Sequence, residues 1–310
     1  MAQSVGSAAH VSKVTLNRPS RQRRLYPYVL LAPVLLIMAA VLLYPWIISF
    51  LLSFQSYTPL RPIPARFVGL ENYVRIFSDP AFWSSLQNTA ILVIATVTIQ
   101  FLAGFGLALL LNSITVGRGF LLTMFLLPLM VTPSVVGLSW KMLLHNEWGI
   151  FNWVLTNVGM PRVGWLSDPN WTLFTIILVD VWQHMPFGAL ILLAGLQAIP
   201  EEQLEAARVD GATGLQTFWH IVLPFLMPLI LITLLFRVIF ALRTFDIIYS
   251  LFRSGGPANA GMVIGVYLYE QLRLTWRLGF ASAISYVLLI LTMALAFGFI
   301  VRWYRDAFED

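Results

Sequence analysis

Six long apolar segments, separated by polar stretches, account for most of the chain. They cover residues 28–54, 88–112, 120–144, 172–198, 222–250 and 281–303. Each is long enough to cross the roughly 30 Å hydrocarbon core of a bilayer as an α-helix. The pattern predicts an all-α, polytopic membrane protein with six transmembrane helices, surrounded by the lipid bilayer.

The composition agrees with a membrane protein. Hydrophobic residues make up 59% of the 310 positions and charged residues only 11%, whereas soluble domains carry about 25% charged residues. The apolar segments define a transmembrane domain over residues 28–303. A basic tail, residues 1–27, precedes this domain, and a short tail, residues 304–310, follows it.

Positive charge before the first segment predicts the orientation of the chain. The first 27 residues contain no acid and include Lys13, Arg18, Arg21, Arg23 and Arg24. Because cytoplasmic loops are enriched in Lys and Arg, we expect a cytoplasmic N-terminus in a plasma or inner membrane. Six crossings return the C-terminus to the cytoplasm, where Arg302 and Arg305 agree. The cluster also suits anionic lipid, and no basic, aromatic-bearing domain indicates nucleic-acid binding.

Residue types needed for several kinds of chemistry are absent from the sequence. There is no cysteine, which excludes disulfides, iron–sulfur clusters and thiol catalysis. Neither lysine, Lys13 or Lys141, follows a glycine, so the chain has no phosphate-binding P-loop. The histidines are scattered, and neither H-E-x-x-H nor G-x-S-x-G occurs. We therefore expect a non-catalytic chain without a metal or cofactor of its own.

The polar segment between the fourth and fifth apolar segments carries a specific pattern over residues 199–224. It reads E-A-A, three residues, Gly, nine residues, then I-x-L-P. The residues of interest in it are Glu205, Ala206, Ala207, Asp210, Gly211, Ile221, Leu223 and Pro224. We expect a helix with Pro200 at its first position and Glu201 and Glu202 in its first turn. Gly211 permits a sharp turn, after which Leu223 and Pro224 start an apolar helix.

This pattern resembles the cytoplasmic loop by which the membrane subunits of ABC importers dock on their ATPase subunits. The resemblance implies that residues 205–224 fit a cleft on a nucleotide-binding partner, which would bind ATP and Mg and hydrolyse the ATP. The topology predicted from the charges places the loop in the cytoplasm, as such docking requires. The alternative for a loop of this composition is an ordinary interfacial amphipathic helix.

Further segments resemble carbohydrate-importer permeases of the maltose, trehalose and glycerol-3-phosphate type. They are residues 181–187, 192–200, 245–249, 254–257 and 279–283. The resemblance extends over about residues 28–303 and implies the type I ABC importer permease fold. It also implies an assembly with a second homologous permease subunit, two ATP-binding cassette subunits and an extracytoplasmic solute-binding protein. Residues 254–260 would then lie where that protein delivers solute, although a Gly/Pro turn explains their composition equally well.

Polar and aromatic residues within the apolar segments are candidates for a solute pathway. Such groups are costly in a membrane and usually face a cavity or each other. Sugar sites combine hydroxyl-binding groups with aromatic faces, which Trp140, Trp182 and Tyr249 would offer. The main candidates are Trp140, Asp180, Trp182, Gln183, Arg243, Asp246 and Tyr249. Further polar candidates within the spans are Asn88, Gln100, Lys141, His184 and Arg237.

A structural role is the alternative for the charged candidates. Arg243 and Asp246, three residues apart on one helix, would neutralise each other. Asp180 would pair with Arg237 or Arg243 and hold two helices together. His184, close before a helix-kinking proline, is interpreted as structural.

These observations predict a permease subunit of an ATP-driven, binding-protein-dependent ABC importer for a sugar or related polyol. It would move its solute by alternating access, driven by partner ATPase subunits. A secondary transporter or channel that works without an ATPase is the alternative, because acids and bases within spans also couple ions. The loop pattern and the lack of inverted repeats favour the importer.

Overall fold

A computed structural model describes residues 21–60 and 64–308 of the chain, without the side chains of residues 21–27, 29 and 302–308. Lys13 and Arg18 of the basic tail lie outside the described residues. The same holds for the side chains of Arg21, Arg23, Arg24, Arg302 and Arg305. The described chain divides after Ser49 into two compact units. The first holds most of the first helix, and the second holds the rest.

The described chain is almost entirely helical, as predicted. A π-helix covers Phe218–Val222, and a 3-10 turn covers Pro257–Asn259. Two short antiparallel strands pair Gln55 with Phe67; they are β1 (Gln55–Ser56) and β2 (Arg66–Phe67). The helices are α1 (Arg21–Ser53), α2 (Glu71–Ser78), α3 (Pro80–Ser113), α4 (Arg118–Met130), α5 (Pro133–Leu143), α6 (Ile150–Asn157), α7 (Pro169–Gln197), α8 (Glu201–Val209), α9 (Gly214–Thr217), α10 (Leu223–Leu242), α11 (Asp246–Phe252), α12 (Ile264–Arg273) and α13 (Leu278–Phe308).

Five helical stretches of the described chain are long and apolar enough to cross a membrane. The predicted segment 120–144 is instead the pair α4 and α5, bent by 97° at their junction. Counted as one broken span, this pair completes the predicted six. Thr132 is extended (φ −63°, ψ 140°), because a residue that precedes a proline avoids the helical region. Pro133 therefore ends one helix and begins the next.

A side chain from α7 satisfies the backbone at this break. Val131 is extended (φ −83°, ψ 138°), and its carbonyl accepts a hydrogen bond of 2.9 Å from Gln183 Nε2. Non-helical backbone at membrane depth is tolerated where protein buries it or where it lines a cavity. Gln183, which is itself buried, therefore stabilises the broken span.

The second predicted segment, 88–112, starts too late in the sequence analysis. Helix α3 begins at Pro80, and the Asp79 carboxylate caps it by accepting from the Ala81 N–H at 2.9 Å. Tyr267 of α12 donates its hydroxyl to the same carboxylate at 2.6 Å. Burial, and then the hydrogen bond to Asp79, raise the pKa of Tyr267, so its hydroxyl stays protonated and remains a donor at neutral pH.

Helices α3 and α7 form the closest packed pair of the second unit. A Cβ atom on Gly104 would lie 3.0 Å from the Met185 carbonyl oxygen and 3.2 Å from the Ala189 nitrogen. Small residues allow membrane helices to approach this closely. The backbone contact fixes how the polar residues of the two helices face each other.

The buried apolar residues form two main clusters at opposite ends of these helices. One includes Leu92 of α3 and Ile176 of α7; the other includes Leu107 of α3, Leu192 of α7 and Leu226 of α10. The second cluster lies next to the loop 199–224. Between the two clusters along the helices lies a group of buried polar residues, which is the candidate site.

Candidate functional site

The loop 199–224 opens with helix α8, which starts one residue later than expected. Pro200 is the N-cap (φ −60°, ψ 129°) and not the first helical residue. Glu201 and Glu202 occupy the first turn, where the helix dipole favours acidic side chains. The turn that ends α8 is a Schellman motif: Ala212 N–H bonds to the Ala207 carbonyl at 2.9 Å, and Gly211 N–H bonds to the Arg208 carbonyl at 3.1 Å.

Gly211 provides the left-handed conformation that this turn needs. Its φ is +78°, a value that side chains with a Cβ resist. The expected sharp turn at Gly211 is therefore present.

The apolar helix α10 begins at Leu223 with Pro224 in its first turn, as predicted. The sequence analysis missed that α9, from Gly214, and the π-helix precede it without a break. Thr213 caps α9 in a capping box with Gln216, which explains the helix start at Gly214.

The π-helix accommodates Pro224. Proline lacks an N–H and crowds the carbonyl four residues before it. Here the helix widens immediately before the proline, and the Leu223 N–H bonds to the Phe218 carbonyl five residues back. A local π turn therefore keeps one continuous helix where α-helical geometry would be broken.

The loop presents most of its pattern residues on the surface. Of the set named from the sequence, Glu205, Ala206, Asp210, Gly211 and Pro224 are exposed, Ile221 and Leu223 are half-buried, and Ala207 is buried. Beside them, the sequence analysis missed three exposed apolar side chains, Val209, Leu215 and Trp219. The spacing of four between Leu215 and Trp219 places them on one helix face and was the available signal.

The loop is anchored on the transmembrane helices. Ile199 belongs to the apolar cluster around Leu192 and Leu226, and Leu204 of α8 packs against that cluster. Helix α8 is therefore packed against the apolar cluster that α7 and α10 share.

The buried polar group joins three helices through one carboxylate. Asp180 of α7 accepts at Oδ2 from Gln100 Nε2 of α3 at 2.8 Å and from Arg237 Nη2 of α10 at 3.2 Å. Arg237 Nε donates to Gln100 Oε1 at 2.6 Å, and Gln100 Nε2 also donates to the Asp180 carbonyl at 2.9 Å. All three side chains are buried. The sequence analysis allowed two pairings for Asp180, and the structure contains the one with Arg237.

A cavity of about 380 Å³ opens beside this group, a volume near the lower end of the range for small-molecule sites. It combines charged side chains with the aromatic rings of three phenylalanines. The lining residues are Leu129, Pro133, Asp180, His184, Phe187, Arg237, Phe240, Arg243, Thr244, Phe245, Asp246 and Ile247. The broken span therefore contributes to the cavity wall through both of its helices.

Three of the seven main pathway candidates line the cavity: Asp180, Arg243 and Asp246. Arg243 and Asp246 do not neutralise each other, because neither takes part in an ion pair within residues 21–60 and 64–308. Both side chains are exposed to the cavity side and are free to bind another group.

The other four candidates lie behind or beside the cavity wall. Trp140 is buried and packs edge-on against Trp182, with ring centroids 5.5 Å apart. Gln183 binds the Val131 carbonyl. Tyr249 stacks on Phe245 at 5.3 Å and accepts a hydrogen bond from the Tyr269 hydroxyl.

The aromatic surfaces of the cavity are Phe187, Phe240 and Phe245, and the sequence analysis named none of them as a stacking surface. A long apolar segment contains many phenylalanines, and its sequence does not show which of them faces a cavity. His184 was assigned a structural role, yet it also lines the cavity. Among the described residues, no three His, Asp or Glu side chains come together as a metal site.

Comparison with known proteins defines the class of this fold. Residues 100–309 match the family described as binding-protein-dependent transport system inner membrane component. The chain is 37% identical over 270 residues to the sulfoquinovosyl glycerol transport system permease protein SmoG of Agrobacterium fabrum, with 87% of each covered. It is 35% identical over 283 residues to the trehalose/maltose transport system permease protein MalF of Thermococcus litoralis, covering 90% of this chain and 94% of MalF.

A solved structure agrees on the fold. The chain superimposes with a TM-score of 0.79 on a chain of a bacterial alginate ABC transporter in complex with an alginate pentasaccharide-bound periplasmic protein. The two are 24% identical, and the match covers 90% of this chain and 94% of the other.

The fold is thus that of a type I ABC importer permease. The chain belongs to the family of binding-protein-dependent transport system inner membrane components. It is a multi-pass membrane protein, and the predicted membership among carbohydrate-type ABC importer permeases is confirmed.

Proposed function

We propose that this chain imports a sugar or related polyol as one of two permease subunits, powered by ATP hydrolysis in partner subunits. The observation that carries the proposal is the loop 199–224, which presents an exposed helix while remaining anchored on α7 and α10. The named solutes of its relatives, trehalose/maltose and sulfoquinovosyl glycerol, support a carbohydrate. No catalytic step is assigned to this chain.

The assembly that we propose has five protein subunits, which act on the solute within the lipid bilayer. They are a second homologous permease, two ATP-binding cassette subunits, an external solute-binding protein and this chain. The ATP and its Mg would be held by the cassette subunits, because this sequence has no P-loop. The alginate ABC transporter was solved in complex with a periplasmic protein, which supports an external binding protein as a partner.

Docking on a cassette subunit is assigned to the loop. Glu205, Ala206, Asp210 and Gly211 form its polar, close-approach surface, and Ala207, Ile221, Leu223 and Pro224 hold the two helices in place. Leu215 and Trp219 add exposed apolar area that a partner would cover. In this proposal the loop and both chain termini lie in the cytoplasm.

Transport is assigned to the cavity by alternating access. Closure of the cassette subunits would push α8, and its anchor would rock α7 and α10, which carry Asp180 and Arg237. Arg243 and Asp246 would contact solute beside Asp180, while Trp140, Trp182, Gln183 and Tyr249 would support the wall of the pathway. The charged cluster joins α3, α7 and α10, so these helices would move together.

The test of this function is reconstitution. The tagged chain is purified in mild detergent with its co-isolated proteins, placed in liposomes, and supplied with ATP inside and a loaded binding protein outside. We expect co-purification of an ATPase and a second permease, and uptake that requires both ATP and binding protein. Uptake by the chain alone without ATP would contradict the proposal and establish a secondary transporter or channel.

A further inference from the structure

The Nδ1 atom of the His184 ring contacts Asp180, whereas the rest of the ring is open to the cavity. Its Nδ1 lies 3.1 Å from the Asp180 carbonyl oxygen and 3.2 Å from Asp180 Oδ1. Only the carbonyl contact has hydrogen-bond geometry, and Oδ1 is left without a hydrogen bond. The side chain is 22% exposed and lines the cavity. No hydrogen bond joins its Nε2 to any residue that the structure describes.

The neighbours of Nδ1 determine where the ring proton lies. Both are oxygens that only accept: a backbone carbonyl, and a carboxylate whose other oxygen takes hydrogen bonds from Gln100 and Arg237. A neutral imidazole donates from one nitrogen and accepts at the other. In the neutral ring the proton therefore lies on Nδ1, which leaves the Nε2 lone pair free.

Hydrogen bonds from Gln100 and Arg237 fix the position of Asp180. Gln100 binds both the carbonyl oxygen and Oδ2, and Arg237 binds Oδ2 and Gln100. Rotating Asp180 would leave buried polar groups unpaired, which is costly. The position of the His184 ring thus depends on residues of three helices.

We infer that His184 contacts the solute, with its Nε2 accepting a hydrogen bond from a hydroxyl of a neutral sugar or polyol. Gln100, Asp180 and Arg237 are positioning residues that fix the tautomer and orientation of the ring. The inference rests on the proposed function and names the class of solute that the same cavity takes.

The charges of the cavity point to a neutral solute. Its wall carries two carboxylates, Asp180 and Asp246, and two guanidiniums, Arg237 and Arg243. The net charge of these four groups is zero, so the wall as a whole favours neither an anionic nor a cationic solute. An acceptor nitrogen also requires a donor on the ligand, and a sugar hydroxyl provides one whereas an ionised acid group does not.

The tautomer can be measured directly. Nitrogen NMR of the assembled complex with ¹⁵N-labelled histidine distinguishes protonated from bare ring nitrogens, and His184→Gln identifies the signal. His145 is an internal control that carries its proton on the other nitrogen, Nε2, because its Nδ1 accepts from the Glu147 N–H at 3.3 Å. We expect His184 to carry its proton on Nδ1 and to lose this preference in Gln100→Leu. A proton on Nε2 of His184 in the unaltered complex would overturn the inference.

The functional test is the amount of solute delivered per ATP hydrolysed, at saturating loaded binding protein. We expect His184→Phe to lower this ratio about tenfold, the value of one lost hydrogen bond, and His184→Gln, which restores an acceptor, to recover much of it. Gln100→Leu should lower the ratio as well. Thr96→Val is the matched control, because buried Thr96 lies one turn from Gln100 and bonds only to its own helix.

The two proposals fail differently. Absence of ATP-dependent uptake in the unaltered assembly contradicts the proposed function. Normal ATP-dependent uptake with an unchanged ratio in His184→Phe overturns only the role of His184. Replacing the neutral solute by its uronic-acid analogue should reduce uptake, and equal uptake of both would contradict the assigned solute class. If His184→Phe does not assemble, the tautomer measurement decides.

Discussion

Arg237 balances the only carboxylate of the described chain that is buried among transmembrane helices. Asp180 is 1% exposed and Arg237 is 4% exposed, so each charge depends on the other for compensation. A buried pair of this kind does not add much stability over an apolar pair, yet removing one partner leaves an uncompensated charge. The loss of one partner alone should therefore destabilise the protein.

Replacing Arg237 with Met should lower the free energy of unfolding by about 3–5 kcal/mol, because Asp180 loses its counter-charge. Thermal unfolding in detergent, followed by size-exclusion chromatography, measures the change. Arg243→Met is the matched control, since Arg243 is exposed and outside the ion pairs of the described residues. Equal stability of the two variants would show that the pair with Asp180 is unimportant.

Gly211 is the second residue whose geometry makes a sharp prediction. Gly211→Val places a β-branched side chain at φ +78°, at a cost of roughly 1–3 kcal/mol to the local turn. We expect the protein to insert normally but to retain less ATPase subunit on purification and to lose uptake.

Asparagine tolerates the left-handed conformation, so Gly211→Asn should keep most of the activity of the unaltered protein. Gly214→Ala, at a helical position with open space around it, serves as a further control. Normal uptake by Gly211→Val would refute the docking role of this turn.

The loop 199–224 contains two helices that are joined to the transmembrane helices in different ways. Helix α8 rests on α7 and α10 through Leu204, whereas α9, the π-helix and α10 form one continuous rod. Trp219 of the π-helix and Arg237 of α10 therefore lie on one continuous helical stretch. The π turn keeps this continuity despite Pro224.

Trp219→Ser should reduce retention of the ATPase subunit, because it removes apolar area that docking would bury. At roughly 25 cal/mol per Å², loss of a large aromatic contact is expected to weaken binding at least tenfold. Trp153→Ser is the matched control, because Trp153 is 64% exposed against 57% for Trp219 and lies on α6, away from the loop in the chain. The quantity to measure is the dissociation constant of the ATPase subunit; equal values for both variants would exclude Trp219 from the interface.

The contact between α3 and α7 brings Gln100 close to Asp180 in the buried polar group. Gly104 lies one turn after Gln100 on α3, and a Cβ atom there would meet the backbone of Met185 and Ala189 of α7. If the helices separated, the hydrogen bonds from Gln100 to Asp180 would be lost. Packing and the site are therefore coupled.

Gly104→Val should destabilise the protein by about 1–3 kcal/mol through overpacking and should lower uptake by moving Gln100 away from Asp180. Gly106→Val is the control on the same helix, because a Cβ there meets nothing within 4 Å. Circular dichroism melting and uptake are measured on both. Similar melting temperatures for the two variants would contradict the importance of the close approach.

Much of the architecture follows from the sequence because it depends on local properties. Long apolar segments need a helix to satisfy their backbone in lipid, so five spans were located from composition alone. The broken span was missed because 120–144 is apolar throughout, although Pro133 carried the signal for its break. The helix start at Gly214 was missed because the capping residues Thr213 and Gln216 were overlooked in favour of Pro224.

The membrane character, five unbroken spans, the polar loop with its turn at Gly211 and the absence of a P-loop follow from the sequence, since each depends on residues close together in the chain. Only the tertiary structure decided which polar residues meet. Asp180 binds Gln100, 80 positions away, and Arg237, 57 positions away. It likewise decided that phenylalanines, and not Trp140 or Trp182, line the cavity. The physical reason is that these contacts depend on the rotation and spacing of packed helices, which nearly uniform apolar segments do not encode in any local pattern.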